Sequence, residues 1–192
     1  MRVSIIGAVL AGVLAVTVSA VPVGAAGRPT GTAAASVTAA AAPYCGITWG
    51  SMPKSSVATR TGKLVRVTTS RQSCWDRTTF EFDGPVDGYV AHYAAQIYSE
   101  GGDNTDLVPY TAGGAHLRVL LLSDAGPISA RAGQHHANVL PYRTLRDVVN
   151  GNWFEDHAVM AVGVRARLPF RVLKIDGPGT HSRLVIDVAH QW

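Results

Sequence analysis

The chain has 192 residues, 17 Lys and Arg against 13 Asp and Glu, seven His and two Cys. That length holds one domain of ordinary size and excludes a catalytic domain carrying a separate regulatory one. Fourteen of the 17 basic residues are Arg, but they are scattered singly, with no block of like charge that marks a nucleic-acid tract, so nucleic acid is not expected as a partner.

The N-terminus carries Arg2, an uncharged apolar run from Val3 to Val18, and small residues at Ser19-Ala20 and Gly24-Ala25-Ala26. This is the layout of a secretory signal peptide over residues 1–26, with cleavage after Ala25 or Ala26 and Ala20 as the alternative. The run is shorter than the roughly 20 residues a membrane-spanning helix needs, so no stable span is expected once the leader is removed. The mean hydropathy of +0.14 is inflated by this leader. Losing it removes one basic group and no acid, which leaves a mildly cationic chain that anionic wall polymers would not repel. An exported, extracellular protein, in association with the cell wall, is the location these features predict.

Gly27 to Pro43 reads GRPTGTAAASVTAAAAP. Without large apolar side chains such a stretch cannot offset its ordering entropy, and residues 27–43 are expected to form a flexible Ala/Thr/Gly-rich linker. The folded domain is expected over residues 44–192. It holds both cysteines, Cys45 and Cys74, and in an exported chain an even pair is most simply a disulfide.

Beyond Cys45 the apolar residues recur mostly every second position. Leu64 to Thr69 alternates weakly, and Thr78 to Asp83 sets Phe80 and Phe82 opposite Glu81 and Asp83. Turn residues at Gly84-Pro85 and Asp87-Gly88 precede a return strand from Tyr89 to Ile97. Leu117 to Leu122 and Ala158 to Ala166 are near-continuous apolar runs, as for central strands covered on both faces. Phe170 to Asp176, the turn Gly177-Pro178-Gly179 and Arg183 to His190 form a hairpin. One short helix is expected from Leu145 to Asn150, with Thr144 as its N-cap, Asp147 in the first turn and Gly151 as its stop. The expected fold is mainly β, a sandwich of about seven or eight strands with that one helix.

Catalytic templates are missing: no His-Glu-x-x-His, Gly-x-Ser-x-Gly, Walker-type or dinucleotide-binding pattern occurs. His135-His136 could ligate zinc with Asp124 or Asp147, but neighbours in a strand point to opposite faces, so neither a metal nor another cofactor is expected. Arg77 could hold a carboxylate or phosphate, or pair with an acid on the neighbouring strand. Arg165 and Arg167, two apart, would share one strand face and form a fork for an anionic polymer, with a solvated outer face as the alternative. Trp49 and Tyr142, with Trp75 and Trp153, are candidates for stacking on sugar rings or for core packing, Trp75 beside the cysteine bridge being the best candidate for packing.

The segments Cys45-Gly46-Ile47-Thr48-Trp49-Gly50-Ser51, Cys74-Trp75-Asp76-Arg77, Gly163-Val164-Arg165, Pro169-Phe170-Arg171-Val172 and Arg183-Leu184-Val185-Ile186-Asp187-Val188 together resemble the AMIN-like domain of secreted actinobacterial proteins. The resemblance covers nearly all of Tyr44 to Trp192 and implies a β-sandwich related to modules that accompany cell-wall amidases and pilus secretins. It implies a binding or targeting role with a cell-wall polymer or an envelope protein as partner. Two further classes remain: a module that recruits an envelope enzyme through an exposed sheet edge, and a wall hydrolase with a histidine-built site.

Overall fold

A computed structural model describes residues 43–192 apart from 58–60, 87, 125 and 129–131. The expected leader, 1–26, and the expected linker up to residue 42 lie outside the described residues. The described part belongs to one unit, Ala40–Trp192. It contains ten strands: β1 (Lys54–Ser56), β2 (Thr61–Arg71), β3 (Trp75–Val86), β4 (Tyr89–Tyr93), β5 (Ala115–Leu122), β6 (His135–Asn138), β7 (Leu145–Phe154), β8 (His157–Val164), β9 (Phe170–Asp176) and β10 (His181–Ala189).

They form two antiparallel sheets, one of six strands in the order β1-β4-β5-β8-β7-β6 and one of four in the order β2-β3-β10-β9. Period-two patterning puts Phe80 and Phe82 of β3, Leu184, Ile186 and Val188 of β10 and Phe170 of β9 on one inner face. Leu117, Val119 and Leu121 of β5 and Met160, Val162 and Val164 of β8 join them from the other sheet. All of these are essentially removed from water, and each contributes about 1.5–3 kcal/mol by burial. The sheets therefore stack as a β-sandwich around one apolar layer.

A second, smaller apolar cluster lies on the outer side of the six-stranded sheet, where Ile97 and Leu107 pack on Val149, Val159 and Ala161. The chain between β4 and β5 supplies this cap. The strand expected to run from Tyr89 to Ile97 ends at Tyr93, and the following residues leave the ladder so that Ile97 can turn onto the outer face. A Cβ on Gly151 would meet Leu107 Cδ1 at 2.8 Å and Val159 O at 2.9 Å, so a residue without a side chain is what lets the cap lie this close.

The helix expected over Leu145–Asn150 is instead the first half of β7, paired with β6 on one side and β8 on the other. Leu145, Val148 and Val149 do fall at helical spacing. The same spacing also suits a strand covered on both faces, and the branched Val148 and Val149 favour the strand. Thr144 is not a helix cap: its N–H donates to Asp76 Oδ2 and its hydroxyl donates to Ala189 O at 3.2 Å. Cys45 and Cys74 are bridged, with Cα atoms 6.4 Å apart, and the bond fastens the short 3-10 turn Tyr44–Gly46 to the residue before β3.

Candidate functional site

Antiparallel register builds rows of side chains across the outer face of the four-stranded sheet. In the first row Asp187 of β10 lies between Arg77 of β3 and Arg171 of β9. Its carboxylate is fully buried and is gripped from both sides. Arg77 donates from Nε to Oδ1 at 2.7 Å and from Nη2 to Oδ2 at 2.9 Å, while Arg171 Nε donates to Oδ2 at 2.9 Å. Of the two readings of Arg77, pairing with an acid on the neighbouring strand is the arrangement observed. The hydrogen bonds to Asp187 raise the Arg77 guanidinium above its ordinary pKa, against the opposing effect of burial.

The next row is Thr79, Val185 and Leu173, and the third is Glu81, Arg183 and Ile175, with Arg66 of β2 donating to Glu81. Val185 is only 2% exposed and Leu173 and Ile175 are half-buried, yet none of the three belongs to either apolar cluster. The arginines of the flanking rows have stems long enough to cover such positions while their heads stay wet. Across the first and third rows four arginines face two carboxylates, so the face is cationic.

At the edge of the first row the Arg171 guanidinium lies 4.8 Å from the Trp75 ring centre and 5.4 Å from that of Trp49. The two indoles are 6.1 Å apart and tilted by 55°. Trp49 is held in place by its indole N–H, which donates to Tyr44 O at 2.9 Å. The Trp75 indole N–H is buried without an acceptor among the described residues. From Trp49 an open groove of about 480 Å³ runs between Tyr44, Ile47, Pro169 and Trp192. Trp192 is 69% exposed. The disulfide joins the two segments that carry Trp49 and Trp75, so the crosslink and the aromatic pair position each other.

The other residues singled out from sequence lie elsewhere. Arg165 and Arg167 do not form a strand fork, because β8 ends at Val164 and both fall in its connection to β9. Arg165 N–H donates to Thr144 O at 2.8 Å as the last bond of the β7–β8 ladder, and the chain bends beyond it. Their side chains then diverge. Arg165 Nη2 donates to His190 O at 2.6 Å, and Arg167 stacks over Tyr93 at 4.9 Å. The Tyr93 hydroxyl donates to Leu168 O at 2.7 Å and accepts from Leu168 N–H at 3.1 Å, and burial, partly opposed by that N–H and by Arg167, pushes its pKa up to about 12. Tyr142 is half-buried against the main core, with Arg71 5.4 Å above its ring. Trp153 Nε1 donates to Ser123 O at 2.7 Å.

Of the adjacent histidines, His135 Nδ1 sits 3.0 Å from both oxygens of the buried Asp147, which also accepts from Ala112 N. Burial lowers the His136 pKa, and its Nε2 has no partner among the described residues. Among the described residues no three His, Cys, Asp or Glu are grouped to hold a metal ion. No helix there is long and apolar enough to cross a membrane. Arg171 escaped the sequence reading, although its alternation with Leu173 and Ile175 in the recognised hairpin was the available signal.

The family model described as AMIN-like domain matches residues 62–190. That span includes β3 to β10, all of β2 but its first residue, and every residue of the three outer rows. No curated protein matches the chain significantly.

Proposed function

The chain belongs to the AMIN-like domain family, and we propose that it is an exported, non-catalytic module that binds peptidoglycan or an anionic wall glycan. The family points to the cell envelope as the place of action. In this reading residues 1–26 are the export leader, residues 27–43 the tether and residues 44–192 the binding domain. The observation that carries the proposal is the Trp49–Arg171–Trp75 stack opening onto the aromatic groove at the edge of a cationic sheet face.

Sugar rings offer flat C–H faces that stack on indoles, and the carboxylates of a wall polymer accept charge-assisted hydrogen bonds from guanidinium groups. Trp49 and Trp192 are assigned to stacking. Arg77 and Arg171 serve as anion donors, with one carboxylate, Asp187, fixing their direction. Arg165, Arg167 and Tyr142 would add only peripheral contacts.

Co-sedimentation with isolated cell walls across a salt series tests this. Binding should weaken as salt rises and fall at least about tenfold in Trp49→Ala or Arg171→Gln, the loss expected for one desolvated aromatic or charged contact. Arg165→Ala with Arg167→Ala should do less. Binding unchanged in the first two variants would reject this surface. A second reading has its own support: β9 is an edge of its sheet, its ladder running to β10 and a single bridge joining Phe170 to Gly50, which suits strand addition by a protein partner along the rest of it. A pull-down from envelope extract that survives glycan digestion would favour it.

A further inference from the structure

At the end of the sandwich beyond Trp75, a cleft of about 220 Å³ is lined by Arg71, Gln72, Ser73, Asp76, Arg143 and His190. We infer that this cleft is a binding site for a single oxyanion, the carboxylate or phosphate end of a small molecule or chain. The proposal does not depend on the reading of the Trp49 surface.

Polar groups in the cleft are divided unequally between acceptors and donors. The one carboxylate, Asp76, is 1% exposed and fully engaged. Its Oδ2 accepts from the backbone N–H groups of Thr144 and Leu145, and its Oδ1 faces His190 Nε2 at 3.2 Å. What remains for a ligand are chiefly donors: the two guanidinium groups, with the Gln72 amide and the Ser73 hydroxyl beside them donating to Ser70 Oγ and Cys74 Sγ. Arg71 and Arg143 are both exposed and neither has a carboxylate partner among the described residues. Two arginines against one carboxylate give the cleft an excess of positive charge that partly enclosed walls concentrate.

The second observation is His190. It is 8% exposed, its Nε2 is committed to Asp76, and its Nδ1 is buried with no partner among the described residues. With Nε2–H donating to the Asp76 carboxylate, the ring stands in the cleft as a fixed wall, and the arginines supply the donors. The imidazole is held by more than its acid: its backbone N–H donates to Cys74 O at 2.9 Å and its carbonyl accepts from Arg165. The ring is thus fixed in the wall of the cleft before any ligand arrives, as a preformed site requires. The volume suits one small anion with a few attached atoms.

The test is a titration of the full chain at constant ionic strength, followed through the His190 ring resonances by NMR. The probes are inorganic phosphate and N-acetylalanine, with N-acetylalanine amide as the uncharged control. We expect a saturable shift with at least one anion and none with the amide. Saturation by phosphate alone assigns phosphate ends, and by N-acetylalanine alone assigns peptide carboxylate ends. Because His190 is buried, the exposed arginines carry the mutational arm. Arg71→Gln and Arg143→Gln should each weaken binding about tenfold or more, the loss typical of one charge-assisted hydrogen bond. No saturable shift with either anion, or equal affinity in both variants, overturns the proposal. Neither result bears on wall binding, which is read by sedimentation with variants at Trp49 and Arg171.

Discussion

The two sheets share one core but treat their outer faces differently. On the six-stranded sheet, Ile97 and Leu107 close an apolar cap over Val149, Val159 and Ala161. On the four-stranded sheet the corresponding face carries rows of arginine across Val185, Leu173 and Ile175. Each face has a fully buried carboxylate, and the two do different things. Asp147 accepts a backbone N–H from Ala112, in the chain that forms the cap, and so helps tie that chain down. Asp187 accepts from two arginines and so organises cations that still face solvent. The comparison teaches that the inner faces suffice to make the sandwich, and that a charged outer face is one whose stabilisation is spread over side chains able to meet something else.

The sharpest way to break the comparison is to remove the cap. Leu107→Ala deletes a fully buried side chain and should lower stability by about 2–5 kcal/mol in urea unfolding, leaving wall binding unchanged. A loss below about 1 kcal/mol would mean that the cap rearranges to fill the space. Replacing both cysteines, Cys45→Ser with Cys74→Ser, opens a loop spanning 29 residues. The expected cost is about 3 kcal/mol. This change should also reduce wall sedimentation, because the segment carrying Trp49 is released.

Asp187→Asn tests the bare face directly. Arg77 and Arg171 lose their shared acid but remain about a quarter exposed, so water relieves part of the penalty and about 1–3 kcal/mol is expected by denaturation. Binding to walls should fall by more than stability suggests, since the arginines are no longer aimed. The smallest effect is alkaline. Tyr93 has its pKa raised to about 12 in the fold from about 10 in an unfolded chain. Its contribution is therefore complete below pH 10 and is lost as pH rises from about 10 to 12. Tyr93→Phe should flatten that limb of a stability-against-pH curve, on top of a pH-independent loss of about 1 kcal/mol from the hydrogen bonds to Leu168.

Much of the fold was legible because burial on one side of a strand leaves an alternating trace. Phe80 and Phe82 against Glu81 and Asp83, and the hairpin from Phe170 onward, mark their strands directly. Short edge strands leave less of a trace, which is why β1 and β6 went unread. Where both faces are covered the alternation vanishes, and Leu145, Val148 and Val149 then mimic a helical stripe. The site was less legible still. The Arg77–Asp187–Arg171 row unites residues far apart in the chain, and only the register of three strands reveals it. Arg165 and Arg167 misled for the opposite reason, since their spacing is meaningful only inside a strand and β8 stops one residue before them. The pairing of His190 with Asp76 joins positions 114 apart, with no local pattern to announce it.

The place of β10 between β3 and β9 also sets an order in time. β2 and β3 are neighbours in sequence and can zip together early, but the other edge of β3 then stays open until a strand about a hundred residues later pairs with it. A pairing of such long sequence separation slows folding and leaves an apolar ribbon uncovered meanwhile. The four-stranded sheet therefore cannot close before β10 has been made.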